Sequence, residues 1–164
     1  MASGGMDVFD VELPNVFNGI EETFNVIVRA EGSRAMEWEA RHHLKTMNHW
    51  LQSQLGAPEK IDQTRYDKAQ SHSLECQRAL MKLFEGCDVI MTPSTCGEAP
   101  TDLTSISNSA FNRVWTLMRG PCLTLPAFAG PNGMPVGLQI VGPVGQDDRT
   151  IALAALILTL LKSS

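Results

Sequence analysis

The sequence predicts an α/β protein with several helices, few strands and a sheet that three strands leave incomplete. Apolar residues recur at three- and four-residue steps through most of residues 17–86, the spacing of one helix face. Three short apolar runs bounded by turn residues fall only within residues 87–164, as strands would. Charge divides the same way: residues 1–86 hold nine Lys/Arg and thirteen Asp/Glu, and residues 87–164 hold four and five. A segment this poor in charge either forms the core of something larger or exposes apolar patches that need a partner.

Residues 1–13 are small and acidic and read as a flexible leader. Phe17, Ile20, Phe24, Ile27 and Val28 form the stripe of a first amphipathic helix, which Gly32-Ser33 interrupts. A second helical region runs from about Arg34 to Leu55, closed by Gly56-Ala-Pro58 because proline cannot continue a helix. A long helix follows from about Asp62 to Glu85. Asp62 or Thr64 caps it, Tyr66, Ala69, Ser73, Cys76, Leu80, Leu83 and Phe84 face inward, and Gly86 ends it in a left-handed conformation.

Asp88 to Thr92 is an apolar run stopped by Pro93, read as a strand buried on both faces. A Ser/Thr/Pro-rich loop covers residues 93–107. A short helix starts at Asn108 or Ser109, runs to about Met118 and ends at Gly120-Pro121. Cys122–Pro126 and Val136–Val141 read as two more strands, antiparallel and adjacent across the turn Gly130-Pro-Asn-Gly133. Asp147 or Asp148 caps a last helix to about Leu161, apolar nearly all round, so more than one of its sides needs cover. Three strands with apolar faces leave open edges, hence the incomplete sheet.

Length and composition bound the function. At 164 residues, 43% apolar and 19% charged, the chain is one domain's worth of globular sequence. A net charge of −5 argues against nucleic acid as a partner. The longest apolar stretch, Ile151 to Leu161, is too short to span a bilayer, so no membrane partner is expected. No secretory signal is visible, and Cys76, Cys87, Cys96 and Cys122 show no C-x-x-C pair; they read as reduced, partly buried thiols in a cytoplasmic protein. His42 and His49, read as two turns apart on one helix, are too widely spaced for a zinc pair, and no metal is expected. Cys96, on a loop after a strand, is a candidate nucleophile for a Cys–His hydrolase, but no histidine partner is marked for it.

Five segments carry a resemblance. They are Cys87-Asp-Val-Ile-Met-Thr-Pro93, Phe111-Asn-Arg-Val-Trp-Thr-Leu-Met118, Arg119-Gly-Pro-Cys-Leu-Thr-Leu-Pro126, Gly130-Pro-Asn-Gly-Met-Pro135 and Val136-Gly-Leu-Gln-Ile-Val-Gly-Pro143. In order and spacing they resemble the last third of the amidase-signature hydrolases. The match is strongest over residues 87–160. Leu117-Met-Arg-Gly120 stands where tRNA-dependent amidotransferase subunits have Asn-Leu-Ala-Gly, so the likeness is to general amidases.

The resemblance implies the carboxy-terminal portion of an α/β/α fold over residues 14–164, helical in 17–86 and strand-containing in 87–164. It implies a parent reaction that hydrolyses a carboxylic amide through a seryl acyl-enzyme, with a Ser–Ser–Lys triad and no cofactor. This chain has no Gly-Gly-Ser-Ser-Gly stretch, and its first lysine is Lys45. Ser3-Gly4-Gly5 reads as leader. The expectation is a fragment without catalytic residues, inactive alone, partnered by the missing amino-terminal portion or by self-association. Its amide substrate would be a small molecule, bound only in a complete enzyme. The loop Pro93–Pro100 and the helix 109–118 would line its pocket, through Thr95, Cys96, Asn112 and Trp115; core packing is the plainer role for Trp115. A non-catalytic binding module that keeps the amidase tail, and a hydrolase using Cys96, are the alternatives.

Overall fold

The computed structural model describes residues 5–55, 61–102 and 109–163. The predicted stop at Gly56-Ala-Pro58, the start at Asn108 and most of Ser3-Gly4-Gly5 lie outside them. The described residues form six α-helices and a three-stranded antiparallel sheet. They divide into two units, Asn18–Glu75 and the remainder, Met1–Phe17 with Cys76–Ser164. The division falls inside the longest helix.

The first unit is helical. α1 (Ile20–Ala35) buries Ile20, Thr23, Val26, Ile27 and Ala30, while Val28, predicted on the inward stripe, is 46% exposed. Gly32-Ser33 does not interrupt it: Met36 N still donates to Gly32 O at 3.0 Å, since one glycine costs a helix only about 1 kcal/mol. The region predicted from Arg34 to Leu55 is instead broken into α2 (Glu37–His43), a 3-10 turn at Leu44–Thr46, and α3 (His49–Leu55). Asn48 causes the restart, its Oδ1 accepting from Leu51 N at 2.9 Å. His42 and His49 therefore stand on different helices.

α4 (Gln63–Leu83) opens with Asp62 Oδ1 accepting from Arg65 N at 2.8 Å, the predicted cap. Its first half lies antiparallel to α1. Arg34 Nη2 donates to Gln63 Oε1 (3.4 Å), Tyr66 Oη to Glu31 Oε1 (2.8 Å), and Thr23 Oγ1 is 2.6 Å from His72 Nδ1. Gly86 follows the helix without a positive φ; its N–H closes a turn on Leu83 O at 3.0 Å.

The second unit holds the sheet. β1 (Ile90–Pro93), β2 (Cys122–Ala129) and β3 (Pro135–Val141) lie in the order β1-β3-β2, every pair antiparallel. Pro126 sits on edge strand β2, where a missing N–H costs the sheet nothing. Register sorts the two faces. Leu138 and Ile140 align with Leu123 and Leu125, and α6 (Asp147–Lys162) covers them: Leu125, Ile140, Ala154 and Ile157 form the core, with Met6, Val89, Leu123, Leu138, Leu158 and Leu161 packed against it. Met6 lies in the stretch that reads as a leader. The opposite face carries a polar row, Thr92–Gln139–Thr124. The strand predicted to be buried on both faces is thus mixed: Ile90 is buried, Met91 40% exposed and Pro93 exposed.

α5 (Ala110–Met118) lies over the polar face. Arg119, in the left-handed conformation at φ 58°, ends it one residue before the predicted Gly120. Gln77 Nε2 donates to Leu117 O at 2.7 Å and ties α5 to the end of α4. At α6 the cap is Gln146, without a side-chain bond, and Asp147 and Asp148 occupy the first turn, favourable for the dipole. On its outer side Ile151 is 53% and Leu156 48% exposed. No described helix is long and apolar enough to cross a membrane.

Gly142 fixes how α6 meets β3. A Cβ there would lie 1.9 Å from Thr150 Oγ1, and Thr150 is only 1% exposed and cannot swing away. Gly142→Ala should lower stability by about 1–3 kcal/mol. The double change Gly142→Ala/Thr150→Ala should cost less than the two single costs added. Urea midpoints measure both, and an unchanged midpoint for Gly142→Ala would disprove the close contact.

Candidate functional site

The polar row of the sheet and the inner face of α5 enclose a pocket of about 440 Å³, lined by Asn112, Trp115, Thr116, Arg119, Gly120, Cys122 and Gln139. Gln139 organises it. Although 5% exposed, its amide is satisfied on both sides: Thr92 Oγ1 donates to its Oε1 (3.2 Å), and its Nε2 donates to Asn112 Oδ1 (3.0 Å). A buried carboxamide without partners would cost about 1–3 kcal/mol, so this chain holds α5 against β1 and β3. Thr116 Oγ1 is spent on Asn112 O at 2.8 Å. Trp115 is 5% exposed, and among the described residues its Nε1 is the buried side-chain polar atom without a partner.

Of the four residues expected at a pocket, the structure brings Asn112 and Trp115 together in this one. Thr95 and Cys96 are not in its lining. Their loop is tied to β3 and to the turn after β2. Ser94 N donates to Gly137 O (3.0 Å) and Ala99 N to Pro135 O (3.1 Å). The Glu98 carboxylate accepts from Asn132 N, Asn132 Nδ2 and Met134 N at 2.6–3.2 Å. Thr95 Oγ1 donates within the loop to Gly97 O, and Cys96 is exposed. Sequence reasoning missed Gln139, Arg119 and Cys122. Gln139 had a visible signal: a lone carboxamide in an apolar strand needs a partner.

The pocket presents binding groups without a nucleophile and base. The thiol of Cys122 is raised above the usual thiol pKa by burial, although the residue as a whole is exposed, so it stays protonated at neutral pH. Ser94 Oγ donates to Thr124 Oγ1 at 3.2 Å, a hydroxyl pair with no basic partner. No histidine occurs in residues 76–164, which leaves Cys96 without one in its own unit. A second depression, about 390 Å³, lies along one face of α4 at Thr64, Asp67, Lys68, Ser71, His72 and Glu75. That spacing is the solvent-facing stripe of a single helix. Among the described residues no group of three His, Cys, Asp or Glu side chains could hold a metal ion.

A family model described as Amidase matches residues 1–151. The chain belongs to the amidase family. "Putative amidase AmiA2" of Mycobacterium tuberculosis is 26% identical over 152 residues, 84% of this chain and 31% of its own length. The 2-amino-5-chloromuconic acid deaminase of Comamonas testosteroni is 24% identical over 173 residues, covering 94% of this chain and 36% of its own. A solved structure described as an amidase superposes with a TM-score of 0.72 at 25% identity, over 90% of this chain and 36% of that one. This amidase-family chain thus spans about a third of the length of the relatives it matches. Its mixed α/β architecture is that of the amidase-signature fold.

Two thiols of this amidase-family chain give a pH test. Burial raises Cys122, and burial followed by the Asp88 carboxylate raises Cys87. A raised folded-state pKa means that the folded chain holds the proton more tightly than the unfolded chain. The resulting stability is complete below the unfolded thiol pKa, about 8.5, and is lost as pH rises through the raised values. Urea midpoints should therefore fall with alkaline pH, and fall less in Cys122→Ser. Parallel curves for the two proteins would show that Cys122 is not raised.

Proposed function

We propose that this chain forms a wall of the substrate pocket of an amide hydrolase, whose nucleophile and base come from residues outside these 164. The observation that carries the reading is the pocket under α5. Asn112, held in place by Gln139 and with its carboxamide nitrogen still free to donate, offers a neutral hydrogen-bonding group suited to an amide or acyl group, while the described lining holds no activated nucleophile. Membership of the amidase family supports amide C–N hydrolysis as the reaction.

In that reaction a serine oxygen attacks the amide carbon, the C–N bond breaks as the nitrogen takes a proton, and water releases the acid from the acyl-enzyme. The chain's contribution is positional. A group held on a rigid helix and strand meets the attacking atom in a narrow range of geometries, which lowers the barrier without any bond being made to the wall. The Thr92–Gln139–Asn112 chain of hydrogen bonds supplies that rigidity. The apolar outer side of α6 is the surface on which the nucleophile-bearing portion, or a second copy, would pack.

Alone, the chain should release no ammonia from benzamide, since loss of a complete triad lowers turnover in a serine hydrolase by about a million-fold. Co-expressed with the serine-bearing amino-terminal two-thirds of an amidase relative, it should restore hydrolysis. In that complex Asn112→Ala should change preference among amide substrates while assembly persists. Enzyme-like turnover by the isolated chain, abolished by serine- or cysteine-directed reagents, would overturn the reading.

A further inference from the structure

We propose that the pocket under α5 selects an amide substrate that also carries a carboxylate, and that Arg119 is the residue that sets this specificity. The inference rests on reading the pocket as a substrate site and deepens it.

The first observation is conformational. Arg119 is the one non-glycine residue with positive φ among those described, at 58°. A left-handed conformation strains any residue with a Cβ, and glycine would take it freely. Arg119 is the residue at which α5 ends, a position where helices commonly turn left-handed, and the next residue cannot carry a side chain: a Cβ on Gly120 would lie 2.5 Å from Gly142 O. The left-handed position falls at 119, and the sequence fills it with a long cation that lines the pocket.

The second observation is the state of the lining's hydrogen bonds. The Gln139 and Asn112 amides engage each other, and the Thr116 hydroxyl is spent on Asn112 O. Among the described lining side chains, Asn112 Nδ2, the Arg119 guanidinium and Trp115 Nε1 have no hydrogen-bond partner. Arg119 is exposed, its guanidinium makes no ion pair or hydrogen bond among the described residues, and no carboxylate is among the described lining residues. Trp115 Nε1–H also lacks an acceptor among the described residues, but it is closed off from the pocket's open space. A pocket whose accessible unspent groups are a guanidinium and a carboxamide nitrogen, both donors, is completed by an acceptor with negative charge, and guanidinium matches carboxylate in a two-pronged geometry. A cation at a helix carboxy-terminus also complements the dipole. That role accounts for the charge at 119 but leaves the Asn112 amide donors beside it unused.

Succinamate and succinamide test this, being the same size and differing in one carboxylate. Binding of each to the 164-residue chain is measured by calorimetry, without turnover. Succinamate should bind about tenfold more tightly or better, the scale of a charge-assisted hydrogen bond. Arg119→Gln should abolish the preference and Arg119→Lys should keep most of it. Equal binding of the two ligands by the unaltered chain would overturn the proposal, even if the variants failed to fold. So would a preference that survives Arg119→Gln in a folded variant. A carboxylate preference in a reconstituted complex that hydrolyses no amide would count against the hydrolase reading and leave this one standing. Hydrolysis of succinamate and succinamide with equal efficiency would do the reverse.

Discussion

Strand β3 is hydrogen-bonded along both edges and packed on both faces, and the rest of the sheet-bearing unit is arranged by that position. Alternation along Val136–Val141 sends Leu138 and Ile140 to α6 and Gln139 to α5. Both faces are demanding. Ile140 is wholly buried, and removing such a side chain costs about 2–5 kcal/mol. Gln139 is nearly as buried and must keep both partners. A slip of one residue would exchange the two faces and leave a carboxamide in the apolar core, so the register has no alternative.

Close backbone approaches hold the three layers together. Gly120 lies against Gly142 O, Gly142 against Thr150, and Gly137 against Thr124 and Ser94. These contacts bring the end of α5, the end of β3 and the start of α6 to one place. Arg119 acquires its unusual conformation there, and the pocket its rim. The hydroxyl and carboxamide row beneath it is neutral and already partnered, so it serves as a fixed floor that holds Asn112 in place. A neutral group of that kind orients a ligand without competing for its proton.

The apolar outer side of α6 has its explanation in the same architecture. A helix covering a sheet needs one apolar stripe, and α6 carries more. Within the described residues it buries Thr150, Ala154 and Ile157 and leaves Ile151 and Leu156 open. The chain spans about a third of the length of the relatives it matches.

The sequence by itself determined the class of each element and the family. Helical stripes, the Asn-Gly turn and five ordered motifs depend on local spacing and backbone chemistry, which a linear reading captures. It placed Asn112 and Trp115 on one helix because they lie within one turn of each other in a helical segment; their place at a pocket was only what the amidase resemblance implied. It misjudged Gly32-Ser33, the Arg34–Leu55 region and the two-faced burial of β1, where neighbouring bonds outweighed local preference. Only the tertiary structure decided that Gln139 joins Asn112 across 27 residues, that the loop bearing Thr95 and Cys96 is tied to β3, and that Gly120 lies against Gly142 O. Those outcomes come from packing between distant segments: a glycine that cannot bear a Cβ, and a buried amide that must find a partner. Neither constraint exists until the strands have met.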